Sequence, residues 1–166
     1  MLKFINNEIF IYFCMHPHSS KHIRELARIL KISPPKCLYL IDELYRNKLV
    51  EKKEVGRSIL INPTLNDKFI FCKKWANLFL LIDCGLASKI SEKNPQTVIL
   101  FGSYSRGEDN EMSDIDIAVD IVIKDDLSSY EKKLSRKIQL HKISDSMPDT
   151  LKENIRQGIL LDGIMI

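Results

Sequence analysis

The residues best able to do chemistry in this 166-residue chain lie in the stretch VILFGSYSRGEDNEMSDIDIAV, residues 98–119. Asp114 and Asp116 flank Ile115, and in a strand positions i and i+2 share a face with Cα atoms roughly 6.5 Å apart. Two carboxylates that close repel each other unless a cation neutralises them, so the pair suits a hard divalent ion such as Mg²⁺. Upstream, an apolar run ends in Gly102-Ser103. A residue without a Cβ lets the backbone approach a ligand there, and the following turn can open a helix whose free N–H groups hold an anion. Alone, Gly-Ser after a strand is a turn and Asp-x-Asp is a solvated edge. Together, in this order and with strands on both sides, they read as an anion cradle followed by a metal-binding carboxylate pair.

The elements that must position these groups alternate. TVILF is a β-branched apolar run fit for a buried strand, DIDIAVDIVI is a second strand, and RKIQLHKI is a third. A helix is expected over roughly Leu127–Lys137 and another over Asp149–Leu160, after Pro148. Strands and helices in alternation predict a small α/β domain.

The pattern apolar-Gly-Ser, about ten residues, then Asp-apolar-Asp-apolar resembles the nucleotidyltransferase domain of the DNA polymerase β superfamily in its minimal form, over about residues 94–164. The resemblance implies that Gly102 and Ser103 hold the triphosphate of a nucleoside triphosphate, ATP being the first candidate. Ser105 or Arg106 would add contacts to its β and γ phosphates. Asp114 and Asp116 would be the catalytic carboxylates and bind two Mg²⁺ ions, and the reaction would transfer a nucleoside monophosphate to a hydroxyl. One departure matters. In the family a third carboxylate commonly lies on the next strand, and the matching position here is Gln139, which carries no charge and cannot act as a base. Asp120 is no substitute, lying roughly 13 Å along the strand from Asp116. His141, two residues from Gln139 on the same strand face, is either a base or a strand-end histidine. His16, His18 and His22 are split by Pro17, and no acid or cysteine completes a metal set with them. Minimal members of the family also pair with a helical HEPN-type protein as its antitoxin, which makes such a protein an implied partner.

The first 62 residues read as three helices and a hairpin. Asn7–Met15 is an apolar helix ended by Pro17. Ser20 is the expected N-cap of KHIRELARIL, in which Ile23, Leu26, Ala27 and Leu30 share a face. Ser33 caps a third helix with Pro34 in its first turn, and Cys37, Leu40, Ile41 and Leu44 form its buried stripe. LVEKKEV and RSILIN follow as strands around Gly56. This order resembles the winged helix-turn-helix family. The resemblance implies double-stranded DNA as partner, with Lys36, Tyr39, Glu43 and Arg46 on the outer face of the third helix and Arg57 on the wing. Such modules also bind proteins, and a third possibility is that the basic half binds an RNA whose 3′ end the enzyme would modify.

Residues 65–90 predict one long helix. Phe69, Cys72, Leu78, Phe79 and Ile82 would face a core, and Ile70, Phe71, Trp75, Leu80 and Leu81 spread apolar surface to other sides. A helix apolar on two sides must be covered on both, which points to a homodimer through this element. The expected organisation is a winged helix-turn-helix at 1–64, a linking helix at 65–93 and a minimal nucleotidyltransferase domain at 94–166. The fold class is α+β or α/β, with a mixed sheet flanked by helices in the C-terminal part.

Charge supports two roles. The net charge of +3 divides into +7 over residues 1–95, of which +5 falls within 1–62, and −4 over 96–166. A basic half suits a polyanion and an acidic half with clustered carboxylates suits a metal. The four cysteines show no C-x-x-C pair and sit among apolar residues, as buried thiols in a reducing compartment do. No apolar run is long enough to span a bilayer and no secretory signal is evident, so a cytoplasmic protein without a membrane partner is expected. The functional expectation is a nucleotidyltransferase-like enzyme with a DNA-binding module. The alternative is a DNA-binding regulator whose transferase domain is degenerate and senses a nucleotide.

Overall fold

A computed structural model describes residues 4–56 and 58–165 of the chain. It comprises two compact units, Met1–Ala76 and Asn77–Ile166.

The first unit contains helix α1 (Glu8–Met15), strand β1 (Lys21–His22), helices α2 (Ile23–Ile29) and α3 (Pro34–Arg46), and strands β2 (Val50–Val55) and β3 (Ser58–Pro63). Asn7 starts α1 by accepting the amides of Ile9 and Phe10 on its side chain. Ser33 does the same for Lys36 at the start of α3. Cys37, Leu40, Ile41 and Leu44 are buried as their spacing requires, against Phe10, Phe13, Leu26 and Leu49. The expected Ser20 cap is not formed. Lys21 and His22 instead pair with Ile61 and Leu60 of β3, giving a three-stranded sheet in the order β1-β3-β2, and α2 begins only at Ile23. A two-residue strand carries too little pattern to announce itself; its partners, 38 and 40 residues downstream, recruit it.

The long helix expected over residues 65–90 is two helices, α4 (Asp67–Asp83) and α5 (Leu86–Ser91). Gly85 separates them in the left-handed region at φ 87°, which an L-residue resists. The expected core face of α4 is also redrawn. Phe69, Cys72 and Ala76 are buried in the first unit's core and Leu81 in the second's, whereas Phe71, Trp75, Phe79 and Ile82 are exposed.

The second unit holds a four-stranded mixed sheet in the order β6-β5-β4-β7. Its strands are β4 (Thr97–Phe101), β5 (Ile115–Val119), β6 (Ile138–Lys142) and β7 (Ile159–Gly163), with helices α6 (Gly102–Arg106), α7 (Ser128–Leu134) and α8 (Asp149–Arg156) between them. Strand β4 is antiparallel to both neighbours, and β5 runs parallel to β6. Alternation divides the sheet into two faces. Val98, Leu100, Ile115, Ile117 and Val119 enter one core, with Leu86, Ile90 and Leu134 from the helices. Ile99, Phe101 and Ala118 face the other way and meet Ile155 of α8. By the same parity Asp114 and Asp116 belong to this second face.

Strand β7 is a correction, because the sequence suggested helix through Leu160. A Cβ at Gly158 would sit 2.6 Å from both Ile99 Cγ2 and the Leu100 carbonyl oxygen, so only glycine lets the chain turn so closely against β4. The following residues then pair with β4, opposite Leu100 to Thr97. Strand β5 also ends at Val119, short of the expected DIDIAVDIVI, because Asp120 accepts the amide of Thr97 and so closes the β4–β5 ladder.

Candidate active site

The geometry begins where β4 ends. The backbone of Gly102 has φ 74°, and a Cβ placed on it would lie 2.6 Å from Asp116 Oδ2. Two requirements therefore select glycine here, a left-handed backbone and the close approach of a carboxylate. The register sets Phe101 opposite Asp116, so Gly102 comes over the carboxylate at the mouth of β5. Ser103 follows, half-buried, in the first turn of α6. Ser105 is buried, and its hydroxyl donates to the Gly102 carbonyl at 2.8 Å. Its hydroxyl thereby braces the turn that follows β4. Arg106 is exposed, its Nε paired with Glu108 at 2.7 Å.

Parallel pairing of β5 with β6 sets Asp116 beside Gln139 and Ala118 beside His141. The side chains then cross-link in a staggered way. Gln139 donates its amide to Asp114 Oδ2, and His141 Nε2 lies 2.9 Å from Asp116 Oδ1. The imidazole also stands edge-on to the Phe101 ring, with centroids 5.1 Å apart, which fixes its plane. His141, which the sequence left open between a base and a strand-end residue, is thus a direct partner of Asp116. The sign of this was its parity with Gln139.

Near this site lies a buried polar network that the sequence did not single out. Buried Asp109 accepts from Asn77 Nδ2 at 2.7 Å and pairs with buried Arg136, whose Nη2 is 3.4 Å away. Asn77 Nδ2 also donates to the Tyr104 carbonyl at 2.9 Å. This network ties Asn77 of α4, the loop after α6 and the entrance of β6 together. In the loop itself, the Asn110 amide donates to Ser113 Oγ, and the Ile115 amide donates to the Lys137 carbonyl. Beside Asp114 a cavity of about 460 Å³ opens, lined by Ser113, Ser128, Lys132 and Lys137 among others. Glu131 on its rim accepts the Ile138 amide and pairs with Lys137, and these donors hold its carboxyl below the usual range.

The donor chemistry of the pair bears on whether it can hold a divalent ion. Each carboxylate spends one oxygen on a protein donor, leaving Asp114 Oδ1 and Asp116 Oδ2 without a protein partner among the described residues. No group of three or more His, Cys, Asp or Glu side chains gathers as a metal site among the described residues. Mg²⁺ is commonly bound by one or two carboxylates, with waters and substrate phosphates completing six ligands, so the pair fits a nucleotide-borne Mg²⁺.

Residues 86–163 match the family described as Polymerase beta, Nucleotidyltransferase. The match spans all four strands of the mixed sheet and includes Gly102, Asp114, Asp116, Gln139 and His141. This part of the chain is therefore nucleotidyltransferase-like. No curated protein and no solved structure matches the chain. No described helix is long and apolar enough to cross a membrane.

In the first unit, the residues expected on the outer face of α3 divide. Tyr39 is exposed, and Arg46 is exposed with its Nε donating to the Asp42 carbonyl. Lys36 is exposed but paired with Glu8 at 2.7 Å. Glu43 is a correction: it is half-buried, and its carboxylate accepts from Asn7 Nδ2 at 3.3 Å. Arg57 lies outside the described residues. Lys52 reaches onto the helix, 2.5 Å from Asp42 and 4.9 Å from the Tyr45 ring centre. The face is accordingly aromatic and charge-paired, more than uniformly basic.

Proposed function

We propose that this protein binds a nucleoside triphosphate with Mg²⁺, ATP first among candidates, and transfers its nucleoside monophosphate to a hydroxyl on a protein or nucleic acid. The observation that carries the reading is the convergence of Asp114, Asp116 and Gly102 at one sheet end, with space over Asp116 that only a glycine leaves open. In the reaction the acceptor oxygen bonds to the α-phosphorus, the bond from that phosphorus to the bridging oxygen breaks, pyrophosphate leaves and the acceptor gives up its proton. Bound Mg²⁺ would neutralise charge on the triphosphate. The chain's own part is to hold that ion on Asp114 and Asp116, to present the backbone at Gly102 and Ser103 to phosphate oxygens, and to fix Asp116 through His141. The test is incubation with α-³²P-ATP and Mg²⁺. Label on the protein itself or on an added acceptor, abolished by Asp114→Asn with Asp116→Asn, supports transfer; no label on any acceptor contradicts it.

A second reading has its own support. Gln139 replaces a carboxylate and donates to Asp114, which suits a regulator that senses nucleotide without transferring it. If Gln139→Asp creates transfer where the natural chain shows none, this reading holds.

The order of helices and hairpin in the first unit, with Tyr39 and Arg46 exposed on α3, supports a winged-helix module that binds double-stranded DNA. Competition between duplex DNA and RNA distinguishes the two nucleic acids. A HEPN-type protein is a further candidate partner, as the antitoxin role of minimal family members implies. A second copy of the chain is also a candidate: Phe71, Trp75, Phe79 and Ile82 recur at helical spacing along α4 and are all exposed. An antiparallel pairing centred on Trp75 would set Phe71 against Phe79 and Lys68 near Asp83, as an isologous interface requires.

A further inference from the structure

The proposed nucleotide site has an unusual distribution of donors. In the register of the parallel pair, the β6 position beside Asp116 is Gln139, and its side chain reaches Asp114 as a donor. The opposite amide orientation would aim a carbonyl oxygen at a carboxylate, so the donor assignment follows from charge. His141 occupies Asp116 Oδ1 in the same way. One oxygen on each carboxylate has no protein partner among the described residues, and these two suffice for a single ion. Two-ion sites set the ions roughly 3.5–4 Å apart and commonly share carboxylates between them. Here a second ion would compete with the Gln139 and His141 hydrogen bonds for the outer oxygens, and the neighbouring β6 position offers it an uncharged amide where a third carboxylate would add an anionic ligand.

From this arrangement we infer that the nucleotide-loaded site holds one divalent cation instead of two, and that Gln139 sets this number. Gln139 and His141 then do for the outer carboxylate oxygens what a second ion would otherwise do, satisfying them by hydrogen bonds. The inference rests on the nucleotide-binding reading and revises the two ions expected from the sequence. It also leaves the acceptor hydroxyl without a cation of its own, which makes transfer depend on how well the acceptor is positioned.

The experiment counts ions directly, without turnover. The full chain is loaded with α,β-methylene-ATP, which cannot be cleaved at the α–β bridge, and titrated with Mn²⁺ while electron paramagnetic resonance reports the free ion. One Mn²⁺ per nucleotide-loaded chain is expected, rising to two in Gln139→Asp. Gln139 is exposed, so this change spares the core, and circular dichroism checks that the variant is folded. Two Mn²⁺ in the natural chain would overturn the inference while leaving the nucleotide-binding reading intact. A count that stays at one in Gln139→Asp would overturn the role given to Gln139. Absence of any Mn²⁺-dependent binding of the analogue would sink both the inference and the reading beneath it.

Discussion

Gly102→Ala is the substitution whose effect follows most directly from the geometry. At φ 74° an alanine incurs the left-handed backbone strain, about 1–2 kcal/mol. Its Cβ would also stand 2.6 Å from Asp116 Oδ2, a distance real contacts do not show, so the carboxylate must rotate. Rotation gives up the 2.9 Å contact with His141, a further loss of about 0.5–1.5 kcal/mol. The expected total is about 1.5–3.5 kcal/mol. Gly85→Ala is the matched control: its φ is 87°, but nothing lies within 4 Å of the added Cβ, so only the backbone share applies. Urea unfolding of the full chain, followed by far-ultraviolet circular dichroism, measures both. Gly102→Ala should lose more stability than Gly85→Ala and should weaken Mg²⁺-dependent nucleotide binding at least tenfold, whereas the control should leave binding unchanged. Equal stability losses with unaltered nucleotide binding in Gly102→Ala would refute the placement of Asp116 against Gly102.

Removing one partner of the buried Asp109–Arg136 pair, as in Arg136→Leu, should destabilise the protein by about 3–5 kcal/mol, because it leaves a buried carboxylate without its cation; a loss below about 1 kcal/mol in urea unfolding would contradict this. Glu131 is held below its usual value by the Ile138 amide and then by Lys137, so its contribution is complete above the unfolded value near 4.5 and is lost as pH falls through the folded one. The stability gap between the natural chain and Glu131→Gln should therefore narrow under acid, and a gap that widens below pH 4.5 would reverse the sign. Burial pushes the thiols of Cys37 and Cys72 up and shields them. A thiol-specific disulfide reagent should reach the half-buried Cys84 first and these two only on unfolding. Light scattering should give a dimer mass that falls to that of a monomer in Trp75→Glu.

How far the sequence was legible depended on the range of the interaction. The stripe of α3 and the Ser33 cap were readable because their signals lie within one or two turns. So was the burial of TVILF, since a continuous β-branched run has few other places to go. Strand β1 and strand β7 were not, because each is defined by a partner more than 35 residues away. The Gly158 turn that starts β7 became visible only once Ile99 and Leu100 stood beside it. In the candidate site, Asp114, Asp116 and Gly102 stand out through type and spacing. The buried network nearby does not: Asn77, Asp109 and Arg136 are scattered over 60 positions and meet only in three dimensions. The bond from the Ser105 hydroxyl to the Gly102 carbonyl likewise shows only in the folded turn. Lys73, one of the basic residues behind the +7 of the first 95 residues, is fully buried and so no part of a polyanion-facing surface.

The most direct test of the account is the Mg²⁺ dependence of nucleotide binding by the full chain. Equilibrium dialysis with α,β-methylene-ATP should show saturable binding at one nucleotide per chain, lost on chelation of Mg²⁺ and lost in Asp114→Asn with Asp116→Asn. Binding that survives both chelation and the double substitution, or no binding at all, would contradict the assignment of Asp114, Asp116 and Gly102 as the nucleotide site.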